Sequence, residues 1–313
     1  MIQASNLTKR FDGFTALNEI SCTIADGCIY GLVGSNGAGK STLIRLMTGV
    51  YKADGGSVAI DGEPIFDNEA TKRQIAYVPD ELYFLPGASI KRMSELYGAV
   101  YPDFDAKRCA ELTASFGLPY TRSAGTFSKG MRRQAATILA LCTKPKYIFF
   151  DETFDGLDPV MRNLVRGLVC QDVADRNATA IITSHSLREL EDTCDQLALL
   201  HKGGMVLESD VTNLKTSLFK VQIAFSGEYD REKFAGIDLM HFAKRGSVTN
   251  MIVRGDRDET VWRLQAMQPL LMDILPLTLE EVFTYEMEAL GYVFDDILND
   301  APTGARSEGG AAV

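Results

Sequence analysis

The segment Gly34-Ser35-Asn36-Gly37-Ala38-Gly39-Lys40-Ser41-Thr42 carries the clearest chemistry in this chain. It fits the pattern G-x-x-x-x-G-K-[ST] at every fixed position. Glycines let a backbone curl until several N–H groups converge on an anion. A helix opening at the end of such a loop adds roughly half a positive charge at that point. Lys40 would reach the β- and γ-phosphates of a nucleotide, and the Ser41 hydroxyl would hold Mg2+. Alone, the loop implies only a nucleotide phosphate, since kinases, GTPases and ATPases share it. A second candidate, Asp151-Glu152, closes the apolar run Tyr147-Ile148-Phe149-Phe150. In a phosphate-loop protein Asp151 would hold the metal, through water. Glu152 would orient or deprotonate the attacking water.

These groups need elements to position them. Cys28 to Val33 is an apolar run that reads as a buried strand entering the loop. Leu43, Ile44, Leu46 and Met47 have helical spacing, with Gly49 as the stop. Residues 1–30 alternate apolar and polar, which predicts antiparallel strands with one covered face. Residues 57–61 and 75–79 read as further strands. From Ala88 to Leu141 the pattern is helical, interrupted by Pro102 and Pro119. Tyr147 to Phe150 reads as a central parallel strand, and Ala178 to Thr183 as another. Val160 to Val169 lies between them at helical spacing. Ser186-Leu187-Arg188-Glu189 reads as a capping box, and Gln196 to Leu200 as the last strand of the alternation. Strand–helix order of this kind predicts a parallel sheet covered on both faces.

The character changes near residue 212. Lys220–Phe225, Leu239–Ala243, Val248–Val253 and Leu270–Leu275 read as strands, and Glu259–Met267 as a helix. Thr278-Leu279-Glu280-Glu281 is a second capping box, opening a helix that ends near Gly291. Residues 294–313, acidic and then Gly/Ala-rich, are expected to be a disordered tail.

Composition sets outer bounds. The chain has 313 residues and a hydrophobic fraction of 46%, enough for one large or two modest domains. A net charge of −10 argues against a nucleic-acid partner. The six cysteines include no C-x-x-C pair and read as reduced thiols of a cytosolic protein. No apolar run approaches the ~18 residues of a membrane span, and the first residues lack a signal-peptide layout.

Further segments decide the family. Thr126-Phe127-Ser128-Lys129-Gly130-Met131-Arg132-Arg133-Gln134 precedes Asp151, Gly156-Leu157-Asp158-Pro159 follows it, and Thr183-Ser184-His185 ends a strand. With the phosphate loop and the acidic pair, these motifs occur in an order that resembles the ATP-binding-cassette (ABC) ATPases over roughly residues 1–210. The resemblance implies two cassettes facing each other, with ATP held between the loop of one and the signature segment of the other. Ser128 and Gly130 match the signature's serine and second glycine, which contact the opposite subunit's nucleotide. His185 matches the switch histidine, Asp158 the aspartate that communicates between sites, and Phe11 the aromatic that stacks on adenine. Two motifs depart from the usual pattern. Lys129 and Met131 stand where the signature commonly has Gly and Gln. Asp80, in Tyr77-Val78-Pro79-Asp80-Glu81, stands where a glutamine is usual, and it can ligate Mg2+ or hold a water. The departures, and Leu277-Thr278-Leu279-Glu280-Glu281-Val282-Phe283, resemble exporter cassettes of the Gram-positive bacitracin-resistance group.

The implied fold is an α/β phosphate-loop ATPase core over 1–212. It comprises a mostly parallel sheet between helices, an antiparallel β subdomain and a helical subdomain inserted at about 88–141. A small α+β accessory domain is expected over 215–293. The implied function is ATP hydrolysis coupled to transport, with ATP and Mg2+ as cofactors. The implied partners are a membrane-spanning permease subunit on a separate chain and a second ABC ATPase subunit, identical or not. The implied place is the cytoplasmic face of the cell membrane, peripherally bound. The alternative is a soluble ABC ATPase outside transport, such as an iron–sulfur assembly subunit. Translation factors of the family carry two cassettes in one chain, and only one phosphate loop occurs here. Repair ATPases need a long coiled coil between loop and signature, for which there are no heptads. An unrelated phosphate-loop kinase leaves the signature and His185 unexplained.

Overall fold

The structure is a computed structural model, and it describes residues 1–154, 157–289 and 291. The tail expected at 294–313 lies outside the described residues. The chain divides into two compact units, Met1–Val211 and a second from Thr212 onward.

The first unit opens with an antiparallel hairpin, β1 (Ile2–Phe11) and β2 (Phe14–Ile24), then enters β3 (Ile29–Val33). The phosphate loop follows and leads into α1 (Lys40–Met47), with Gly49 just beyond its end. Next come β4 (Gly55–Ile60), β5 (Glu63–Pro64), the short α2 (Glu69–Lys72) and β6 (Ile75–Val78). Three helices follow without strands: α3 (Ile90–Val100), α4 (Ala106–Ser115) and α5 (Lys129–Cys142). The alternation resumes with β7 (Tyr147–Asp151), α6 (Pro159–Arg176), β8 (Thr179–Ser184), α7 (Leu187–Glu191) and β9 (Gln196–His201). A hairpin partner, β10 (Gly204–Asp210), completes the unit.

These strands form two sheets. One is antiparallel, in the order β2-β1-β4-β5. The other runs β10-β9-β3-β8-β7-β6 and is parallel except for β10. Every residue of β3, β7 and β8 is buried, as their continuous apolar runs require of strands with neighbours on both sides. Ile2, Leu7 and Ile20 of the antiparallel sheet share one core with Leu43 and Ile44 of α1 and with Leu32 and Phe149 of the parallel sheet. Helix α1 is thereby fixed between the two sheets, and the loop before it inherits that rigidity. One strand exceeds expectation: the sheet does not close at β9, because the turn at Lys202-Gly203 returns the chain as β10.

The second unit begins near α8 (Val211–Ser217). It holds β11 (Leu218–Ala224), β12 (Leu239–Arg245), β13 (Val248–Arg254), α9 (Arg257–Ala266), β14 (Leu271–Leu275) and α10 (Leu279–Ala289). Its sheet is antiparallel in the order β12-β13-β11-β14. Val221, Ile223, Met251, Val253 and Leu264 form a core of its own, as the alternation in β11 and β13 predicts. The capping box at α10 is reciprocal: Glu281 N–H donates to Thr278 Oγ1 at 3.2 Å and Thr278 N–H to Glu281 Oε2 at 2.9 Å. The box expected at Ser186 does not form. Ser186 makes no side-chain cap; its own N–H donates to Ser184 Oγ at 3.0 Å, and the Glu189 carboxylate is held by Ser184 Oγ at 2.8 Å and Arg162 at 3.0 Å. Among the described residues, no helix is long and apolar enough to cross a membrane.

Candidate functional site

The loop from Gly34 to Gly39 joins the C-terminal end of β3 to the N-terminus of α1, where the first N–H groups lack intrahelical partners. Two of its glycines are dictated by space. A Cβ on Gly34 would lie 2.4 Å from the Leu200 carbonyl oxygen. Gly39 has φ 106°, and a Cβ there would lie 2.9 Å from the Ala16 oxygen. A side chain at either position would collide with backbone, so glycine is required there.

Lys40 is 4% exposed. Its Nζ donates to the carbonyls of Gly34 (2.7 Å) and Ser35 (3.1 Å) and lies 3.4 Å from Glu152 Oε1. Next to it, Ser41 Oγ donates to Asp151 Oδ1 at 2.9 Å. Asp151 is fully buried and also accepts from Thr183 Oγ1 at 3.0 Å and from the Tyr77 hydroxyl at 3.2 Å. Burial, then the Asp151 charge, pushes the Tyr77 phenol up to about 12, so it stays a donor. Strand register brings these groups together, because β7 pairs with β6 on one side and with β8 on the other. Glu152 takes a left-handed backbone, φ 49°, and its N–H donates to Thr183 Oγ1 at 2.9 Å. That turn points the chain out of the sheet just where the carboxylate meets Lys40.

Phe11, Phe14, Ala16, Asn36, Gly37, Gly39, Lys40, Ser41, Thr42 and Glu152 line one cavity of about 270 Å³. Apolar rings thus stand at one side and phosphate-loop groups at the other, as a nucleotide with a base and a charged tail requires. Phe11 and Phe14 are partners across the β1–β2 hairpin, 38% and 64% exposed. The Phe11 ring is steadied edge-on by Tyr51, with centroids 5.5 Å apart. The hairpin pairing sets Phe14 beside Phe11 in the cavity.

Other sequence candidates stand elsewhere. Ser128 caps α5, accepting from Met131 N–H at 3.2 Å, and Gly130 lies in the first turn of that helix. Asp158 caps α6, accepting from the N–H groups of Val160 and Met161. His185 is exposed in the segment just after β8. None of these lines the cavity beside the phosphate loop. Asp80 is engaged by Arg133 Nη2 from α5. Asp80 lines a separate cavity of about 410 Å³ with Glu81, Leu82, Lys129 and Arg132.

A glycine loop between a parallel strand and a helix, with a buried Asp and a partly buried Glu at the end of a strand two places along the same sheet, defines a phosphate-loop ATPase. The sequence pattern of the ABC transporter family matches residues 17–155. The ABC transporter ATP-binding protein YtrB of Bacillus subtilis is 31% identical over 90% of this chain and 97% of its own length. The bacitracin transport ATP-binding protein BcrA of Bacillus licheniformis is 28% identical over 69% of this chain and 71% of its own. Among solved structures, an ATP-binding subunit of an ABC transporter superposes with a TM-score of 0.64. That likeness covers 85% of this chain and 99% of the other at 23% identity. This chain belongs to the ATP-binding proteins of the ABC transporter family, and it is an ATPase.

The exposed aromatic pair gives a direct test. Phe11→Ala is expected to raise the Kd for ATP roughly 5- to 150-fold, the equivalent of about 1–3 kcal/mol of lost base stacking. The hydrolysis rate at saturating ATP should stay near wild type. Nucleotide titration by fluorescence measures the first quantity and a phosphate-release assay the second. Unchanged affinity in a folded variant would shift the stacking role to Phe14.

Proposed function

We propose that this chain is the ATP-hydrolysing subunit of an exporter, working as a pair of cassettes on a separate membrane-spanning partner. The observation that carries this reading is a division within the site. The cavity collects Phe11, the loop and Glu152, whereas Ser128 and Gly130 stand away from it at the start of α5. A second cassette, reversed, would bring its own Ser128 and Gly130 over the phosphate loop of the first. Its helix N-terminus would then face the terminal phosphate, and Lys129 would add charge of the favourable sign.

Ser41 Oγ and the Asp151 carboxylate are hard oxygen donors suited to Mg2+. Ser41 and Asp151 would hold the metal, which would supply positive charge to offset that of the phosphates. In this chain Lys40 steadies the phosphates. Thr183 and Tyr77 hold Asp151 in one orientation, and Glu152 Oε1 accepts the proton of the attacking water. His185 would reach the γ-phosphate of its own site once the pair has closed.

Transport through a partner is supported by the resemblance to the bacitracin transport ATP-binding protein BcrA and by exposed apolar side chains around α3. Tyr83, Leu85, Leu96 and Val100 are all exposed, and Leu96 and Val100 are one helical turn apart. Such a stripe suits a cytoplasmic helix of a permease, which would place this subunit at the inner membrane face. The test is co-expression with a six-span membrane protein encoded beside it. Co-purification, and hydrolysis stimulated several-fold on reconstitution, are expected. A subunit that neither associates nor responds overturns the transport reading in favour of a soluble ATPase.

The second unit, with none of the nucleotide motifs and a core of its own, serves as an accessory domain that favours pairing. A chain ending at Val211 is expected to stay folded and keep its ATP affinity within about twofold. It should dimerise less well in sedimentation velocity runs with ATP. An insoluble product would assign the unit to stability instead.

A further inference from the structure

Arg133 is unusual among the cations of this chain. It is 2% exposed, its Nη2 donates to Asp80 Oδ1, and its Nε has no hydrogen-bond partner among the described residues. A buried guanidinium is costly unless an acid meets it. Asp80 supplies that charge from a surface position, since its own side chain is 43% exposed.

The helix around Arg133 sharpens the need. α5 opens Lys129-Gly130-Met131-Arg132-Arg133, and no acid lies in its first turn. Cations near a helix N-terminus oppose its dipole. An outside carboxylate that offsets them fixes how this end of the helix sits.

Asp80 is well placed to link that end to the chemistry. It lies just past the end of β6, and α5 packs against β6. At the same strand end, Val78 O accepts from Thr153 Oγ1 at 3.3 Å, and Thr153 adjoins Glu152. A short path therefore runs from Glu152 through Thr153, the end of β6, Asp80 and Arg133 to the helix capped by Ser128.

We propose that Arg133 is a positioning residue. Its ion pair with Asp80 orients the Ser128–Gly130 helix start relative to the catalytic strand ends, so that the signature segment meets the opposite cassette in register. In this role Asp80 acts through Arg133. This inference rests on the two-cassette reading above.

The experiment uses the full chain in a Glu152→Gln background, where the ATP-bound pair should accumulate. Arg133→Gln is expected to raise the protein concentration for half-dimerisation in ATP and Mg2+ roughly tenfold, a typical effect of breaking one coupled contact. The Kd for ATP should move less than about twofold, because Arg133 does not line the nucleotide cavity. Arg133→Lys, which keeps the charge, should recover much of the loss. Asp80→Asn should act like Arg133→Gln, and the two together should be no worse than either alone. Additive losses, or unaltered dimerisation in Arg133→Gln, overturn the positioning role while leaving the two-cassette reading intact. Failure of Glu152→Gln itself to dimerise overturns the two-cassette reading, and the positioning role with it. Should Arg133→Gln not fold, Asp80→Asn and Arg133→Lys carry the comparison.

Discussion

Glu152→Gln is expected to abolish steady-state ATP hydrolysis while ATP binding persists. The glutamine keeps the length and shape of the side chain, so the left-handed turn at this position and the N–H bond to Thr183 should survive. What disappears is the proton acceptor we propose for the attacking water, and loss of a general base typically lowers a rate by roughly 10²–10⁴. The change also weakens the contact with Lys40 Nζ at 3.4 Å, because an amide oxygen carries no full charge. Lys40 keeps its two carbonyl partners in the loop, so the phosphate cradle stays in place. The ATP-bound pair, unable to discharge, should accumulate and elute as a dimer on size exclusion in ATP and Mg2+. Hydrolysis at near wild-type rate would remove Glu152 from the role of base. Dead enzyme that also fails to bind ATP would point to a structural part for the Glu152–Lys40 contact.

The parts of this site that could be read from the sequence are those whose requirements are local. The phosphate loop is legible because Gly34 and Gly39 are the residues that the close approach of Leu200 and Ala16 permits. The strands leading to it are legible because burial on both faces demands unbroken apolar runs, as in Ile29–Val33 and Tyr147–Phe150. The capping box at Thr278 is likewise satisfied within one turn.

Where the sequence misleads, distant partners have won. The same Ser-x-x-Glu spacing at Ser186 yields no box: Ser184 Oγ takes the Ser186 N–H, and Ser184 and Arg162 take the Glu189 carboxylate. Asp80 has a partner that its local sequence does not announce: Arg133, 53 residues away. No local pattern encodes that pairing. Tyr77 and Thr183 come to Asp151 only through the order of β6, β7 and β8, which a single strand cannot reveal. Phe14 enters the cavity through a hairpin register, and its exposure is visible only once β1 and β2 are paired.

Lys40→Ala is expected to remove both tight ATP binding and detectable turnover. In this structure the ammonium group ties together the two ends of the site. It bonds the Gly34 and Ser35 carbonyls on one side and faces Glu152 on the other. With ATP present it would exchange some of these partners for phosphate oxygens. Each charge-assisted hydrogen bond is worth about 1.5–3 kcal/mol, so loss of even one should raise the Kd for ATP roughly 10- to 150-fold. Turnover should fall further than binding, because the same charge opposes the negative charge that develops on the phosphoryl oxygens. The fold should hold, since α1 keeps Leu43, Ile44 and Met47 in the core between the two sheets. Lys40→Arg separates charge from shape. It keeps the cation, but the planar guanidinium must fit where the lysine is 4% exposed, so recovery should be partial at best. Isothermal titration with ATP and Mg2+ measures the binding loss, and circular dichroism melting checks the fold. A Lys40→Ala protein that binds ATP within about threefold of wild type would remove Lys40 from the phosphate site.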